Sequence, residues 1–143
     1  MIRKHQPKDL DTILNVWYQA STLAHSFLDE AFVEKVKTDM REMYIPDSET
    51  WVYEEEGHVI GFISMMGNEI GGLFVLPDHH SKGVGTQLLK YISDFHDELE
   101  VEVFKENKIG RAFYDKHGFE ITKEFYHEES MKDVMRMKLS HKL

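Results

Sequence analysis

The chain has 143 residues, no cysteine, 41% hydrophobic and 30% charged residues, and a formal net charge of −9. That length suits one domain over 1–143, with a core large enough to stand without disulfides. The missing cysteines exclude disulfides, thiolate metal sites and a cysteine nucleophile, the acidity argues against nucleic acid as a partner, and no apolar run approaches the roughly 18 residues of a membrane span.

Residues 1–5 lead into no apolar signal segment, so a cytoplasmic protein is expected. Residues 2–5 read as a short strand, and Pro7 suits a first helical turn because its φ is already helical. Leu10, Ile13, Leu14, Trp17 and Ala24 recur at helical spacing, predicting an amphipathic helix over about 8–22. Asp29 is an N-cap for a second helix, with Phe32, Val33, Val36, Met40 and Met43 on one face, broken at Pro46-Asp47-Ser48. Trp51-Val52-Tyr53, a turn at Glu56-Gly57 and a strand over 58–66 make a hairpin. Gly67-Asn68 turns the chain into a strand over 69–76, where Gly71-Gly72 predicts a bulge or a close backbone approach and which Pro77 ends. Next come a helix with Val84, Leu88, Leu89, Ile92 and Phe95 on one face and a strand over 99–104. A helix over 107–116 closed by Gly118, then strands over 119–126 and 134–139, complete the chain. The order β-α-α-β-β-β-α-β-α-β-β implies a mixed sheet with helices on both faces.

Two stretches carry candidate chemistry. Gly83-Val84-Gly85-Thr86 opens a helix soon after the strand ending Leu73-Phe74-Val75-Leu76-Pro77. A helix N-terminus offers unpaired N–H groups and partial positive charge, and glycines let a phosphate approach them. Thr86 adds a hydroxyl and Lys82 a charge. Alone, this spacing fits either a phosphate site or a tight turn with no ligand. It is neither a Walker loop nor a full dinucleotide fingerprint. In the second stretch, Asn107 and Tyr114 are seven residues apart and share a helix face, with Gly110 between them. A slim ligand along that face meets an amide at one end and a phenol at the other; an N-cap with core aromatics fits the same residues. The nine histidines show no metal-ligand spacing, so no metal site is expected.

Together the two stretches resemble the GNAT superfamily of acetyl-CoA-dependent N-acetyltransferases, of the small stand-alone bacterial type. The family's V-x-P followed by [RQ]-x-x-G-x-[GA] reads Val75-Leu76-Pro77, then His80-Ser81-Lys82-Gly83-Val84-Gly85. Its N-x-x-A-x-x-F-Y with a later G-F reads Asn107, Gly110, Phe113, Tyr114 and Gly118-Phe119. The resemblance implies a GNAT-like fold, α/β (α+β), with a mixed, mostly antiparallel twisted sheet of about seven strands flanked by four helices.

It further implies acetyl-CoA as acetyl donor, lying between the strands over 69–76 and 99–104. Phe74 and Val75 would pair with its arm. His80, Ser81, Lys82, Gly83, Val84, Gly85 and Thr86 would hold its phosphate end. Asn107, Gly110, Phe113, Tyr114 and Lys116 would line the opposite wall. The Val75 N–H would face the thioester oxygen, and Tyr114 would protonate the CoA thiolate as a primary amine attacks in a ternary complex. Glu69 and His25 are the candidate bases, and many relatives use ordered water instead. The acceptor, a small-molecule or peptide or protein amine, would be met by residues 21–29 and 127–133. The family's members are often dimers, which leaves a homodimer open; no nucleic acid, membrane or metal partner is expected. His80 and Ser81 depart from the family's usual residues. A non-catalytic acyl-CoA-binding module of the same fold is the alternative reading.

Overall fold

A computed structural model describes residues 1–80 and 82–140. Among these residues, seven strands form one sheet: β1 (Ile2–Lys4), β2 (Glu49–Glu55), β3 (His58–Met66), β4 (Glu69–Val75), β5 (Glu98–Phe104), β6 (Glu120–His127) and β7 (Lys132–Ser140). Their spatial order is β1-β2-β3-β4-β5-β7-β6. Every neighbouring pair is antiparallel except β4 and β5. The mixed, mostly antiparallel seven-stranded sheet and its four helices match the expected fold.

The four helices are α1 (Leu10–Ala24), α2 (Glu30–Asp39), α3 (Val84–Ser93) and α4 (Lys108–Lys116). Alternation along the strands divides the core in two. On one face Ile63, Val75, Val101 and Met137 pack with Val84 and Leu88 of α3 and Tyr114 of α4. On the other, Val52 and Phe62 pack with Ile13, Val16 and Trp17 of α1 and with Met40 and Ile45. Past α2 the backbone widens into a π turn at Met40–Tyr44 before the helical turn Ile45–Asp47. The wider turn shifts the helical phase. Met40 is buried, but Met43, expected on the same face, is 46% exposed.

The expected irregularity at Gly71-Gly72 is a bulge. Gly72 pairs with Ser64 and Ile70 with Met65, leaving Gly71 as the extra residue on β4. A bulge shifts the alternation by one, so residues before it change face. Phe74 faces the α1 side and Val75 the α3 side. Ile70 lies on the α3 side, which puts Glu69 on the same face as Phe74. Without the bulge, Glu69 would point with Val75.

β4 and β5 pair only at Glu69–Glu100 and Ile70–Val101. Beyond that vertex the two strands part, so among the described residues one edge of β4 has no strand beside it.

Candidate active site

Neighbouring residues of a strand turn their N–H groups to opposite edges. Leu76 N–H donates to Ile60 O on β3 at 2.9 Å. Phe74, two residues earlier, therefore also points its backbone groups at β3. Leu73 and Val75 point theirs into the gap beside β5. This corrects one expectation: Phe74 does not offer its backbone to the gap, because that backbone is committed to β3. Leu73 alternates with Val75 instead, and Phe74 contributes its ring to the α1 face.

The loop after β4 is built partly by its own side chains. The backbone N–H of His80 donates to Pro77 O at 3.2 Å, so it is not free to hold the phosphate end expected of this residue. Its ring takes another role. Nε2 lies 2.8 Å from the carbonyl oxygen of Val75, and a carbonyl only accepts, so Nε2 carries the proton. Ser81 lies outside the described residues.

Gly83 is the N-cap of α3, at φ 81°, a conformation that strains any residue with a Cβ. Having no side chain, it leaves the first-turn N–H groups of Val84, Gly85 and Thr86 uncapped. A Cβ on Gly85 would meet Phe113 Cε1 of α4 at 3.2 Å, so α3 and α4 approach closely there. Thr86 Oγ1 lies 3.0 Å from Nε2 of His117, a residue not singled out from sequence. Burial holds the His117 ring below its usual pKa, with smaller contributions from Lys116 and Lys90. If Nε2 carries the ring proton, Thr86 keeps its own hydroxyl proton for a ligand. Lys82 and Lys116 are exposed and form no ion pair among the described residues.

On α4, Asn107 caps the helix by accepting from Gly110 N–H at 2.9 Å. The sequence suggested that Gly110 clears space for a ligand. Its missing side chain instead makes room for this cap, because a Cβ there would sit 2.5 Å from Asn107 Nδ2 and 3.1 Å from Val103 Cγ2. Tyr114 is buried, with its ring edge-on to Phe113 and Phe119 at 5.3 and 5.1 Å. Burial pushes its phenol well above the usual value, so it is neutral at pH 7. The hydroxyl has no hydrogen-bond partner among the described residues.

Neither candidate base stands free. Glu69, at the vertex of the gap, binds Arg136 Nη2 through Oε1 at 2.8 Å. Arg136 on β7 also holds Glu100 at 3.2 Å and Glu102 at 2.8 Å. Nothing in a one-dimensional reading ties residue 136 to residue 69; the pairing exists because β7 lies next to β5. His25 has both ring nitrogens engaged, Nδ1 with Ser21 Oγ and Nε2 with Asn107 Nδ2, each at 3.0 Å. Burial lowers its pKa to about 4. The structure therefore takes away the lone pair that a general base at His25 would need.

A separate cavity of about 540 Å³, lined in part by Arg3, Asp9, Glu54, His58 and His79, holds none of the site residues expected from sequence. No helix among the described residues is long and apolar enough to cross a membrane, and no group of three or more potential metal ligands occurs among them.

Residues 46–121, just over half of the chain, match the acetyltransferase (GNAT) domain family. The peptidyl-lysine N-acetyltransferase YiaC of Escherichia coli K12 is 33% identical over 122 residues, spanning 85% of this chain and 84% of that protein. Peptidyl-lysine N-acetyltransferase YjaB of the same organism is 26% identical over 122 residues, 85% and 82% of the two chains. The solution structure of apo YjaB has a TM-score of 0.87 at 23% identity, covering 96% of this chain and 95% of that one. The PaiA N-acetyltransferase of Thermoplasma acidophilum, solved with coenzyme A, has a TM-score of 0.79 at 22% identity, covering 97% and 98%. With a family match over half its length and a relative at this level of identity, the chain belongs to the GNAT family of acetyltransferases.

Proposed function

We propose that the protein transfers the acetyl group of acetyl-CoA to the lysine side chain of a peptide or protein. The open edge of β4 running into the uncapped first turn of α3 carries this reading. Leu73 and Val75 offer strand-like donors and acceptors to an amide-containing arm, and Val84, Gly85 and Thr86 offer N–H groups to a pyrophosphate. Gly83 and Gly85 leave that turn unobstructed, so the residues fit such a ligand. The structural relative solved with coenzyme A supports the same choice. Lysine as acceptor is supported by the printed activity of YiaC and YjaB, and by three carboxylates set around Arg136 on the α1 face of an acidic protein.

Bound acetyl-CoA supplies an activated thioester; the remaining work falls to the chain. Glu69 accepts the proton the lysine ammonium must lose, directly or through water, with Oε1 anchored by Arg136 and Oε2 unpaired among the described residues. The amine lone pair then forms the new N–C bond while the C–S bond breaks. The Val75 N–H, with Leu73 beside it, steadies the negative charge that gathers on the thioester oxygen. Tyr114 holds its proton at pH 7 and gives it to the departing sulfur, and the second proton that the attacking nitrogen sheds on becoming an amide returns the phenolate to the phenol. The test is mass spectrometry of lysine peptides and of small amines after incubation with acetyl-CoA. Acetylated lysine supports the proposal; acetylation confined to small amines contradicts it.

A further inference from the structure

Ser21, His25, Asn107 and Gly110 form a hydrogen-bonded chain that joins residues 82 positions apart. Its proton positions follow from one backbone donor. Gly110 N–H needs an acceptor, which fixes Asn107 Oδ1 toward it and turns Nδ2 toward His25. Nδ2 can only donate, so His25 Nε2 is the unprotonated nitrogen. The ring proton therefore sits on Nδ1 and is donated to Ser21 Oγ.

The ring stands across the opening between the strands. It meets Phe74 of β4 edge-on at 6.3 Å and Phe104 of β5 at 5.2 Å. Phe104 in turn meets Phe27 at 5.7 Å, and at 6.5 Å both Phe32 of α2 and His127 at the end of β6. The segment after α1 and the turn between β6 and β7 thus converge on β5 through aromatic contacts. Hydrogen bonding ties the same place to the N-cap of α4, the helix that carries Tyr114.

We infer that His25 is a positioning residue, a neutral imidazole latched by Asn107 that pins the α1–α2 segment across the β4–β5 gap and so orders the acceptor side of the site. Burial supports the neutral state, holding the ring near 4. The inference rests on the acetyl-transfer reading only in naming that side as the acceptor's; the latch itself does not depend on turnover.

The first test uses the unaltered protein. Long-range proton–nitrogen NMR should show His25 protonated at Nδ1 and bare at Nε2; the opposite tautomer overturns the inference. His25→Phe keeps the ring contacts and loses both hydrogen bonds. It should speed amide exchange over residues 25–29 and raise the acceptor KM, each by about tenfold, with kcat and acetyl-CoA affinity within about twofold. His25→Gln, which can still accept from Asn107, should recover part of both effects. Gly110→Ala gives an independent route, since its methyl would displace Asn107 Nδ2 and should loosen the same segment. Unchanged exchange in both His25→Phe and Gly110→Ala overturns the latch. So does a collapse of kcat with loss of the acid limb of the pH profile, which would make His25 the base. If no acceptor turns over, the acetyl-transfer reading fails, while the tautomer and the exchange rates still decide the latch.

Discussion

Glu69 Oε1 and Arg136 Nη2 meet at 2.8 Å, across the intervening strand β5. The contact needs both the β5–β7 pairing and the bulge at Gly71 that turns Glu69 onto the α1 face. It leaves one carboxylate oxygen unpaired among the described residues, at the vertex where β4 and β5 part. Glu69→Gln should therefore lower kcat/KM by about 100-fold, with acetyl-CoA affinity within about twofold. An unaltered kcat/KM would assign deprotonation to water or to another group.

Tyr114→Phe removes the proton proposed for the leaving thiolate and keeps the ring packed against Phe113 and Phe119. The hydroxyl has no partner to lose among the described residues, so the melting temperature should hardly change. Turnover should fall by about 100-fold, with acetyl-CoA affinity within about twofold. Steady-state kinetics beside a binding titration separates the two quantities.

Gly83→Ala places a Cβ at φ 81° and should cost about 1–2 kcal/mol of stability. Gly85 has an ordinary negative φ, so its substitution acts by another route. In Gly85→Val the side chain enters the contact with Phe113, which starts at 3.2 Å for a bare Cβ. Acetyl-CoA affinity should drop at least about tenfold in Gly85→Val, because the phosphate-facing turn is both filled and displaced. Calorimetric titration and thermal melts on the two variants read binding and stability separately.

His25 gives stability a defined pH dependence. Its pKa falls from 6.5 to about 4 on folding because burial disfavours the charged ring. Between those values the unfolded chain binds the extra proton and the folded one does not. Stability should thus fall as pH drops from about 6.5 to about 4, by at most about 3 kcal/mol, and this contribution levels off below that. Urea midpoints across this range should show the slope in the wild type and a shallower one in His25→Gln. Parallel slopes would contradict it.

Much of the fold was readable because its signals are local. The glycines at 67, 83 and 118 all take positive φ, and the helical and alternating patterns mark most elements. The bulge could be suspected from Gly71-Gly72, but its effect on Glu69 required the register with β3. The loop and helix motifs marked a candidate site; how its atoms are spent was hidden. Val75 and His80 are five apart, yet only the folded loop shows the imidazole on the carbonyl. Gly110 looked like room for a ligand and turned out to be room for Asn107. His25, Arg136 and His117 act through partners 82, 67 and 31 positions away, separations that no short motif records.

Residue-resolved amide NMR during an acetyl-CoA titration reads whether the open edge of β4 and the first turn of α3 form one acetyl-CoA site. A single site should give coincident shifts at Leu73, Val75, Gly85 and Thr86, slowed exchange at the Leu73 and Val75 N–H groups, and no matching response to ATP or NAD. Shifts confined to the turn of α3, equal for ATP and acetyl-CoA and with β4 unaffected, would contradict it.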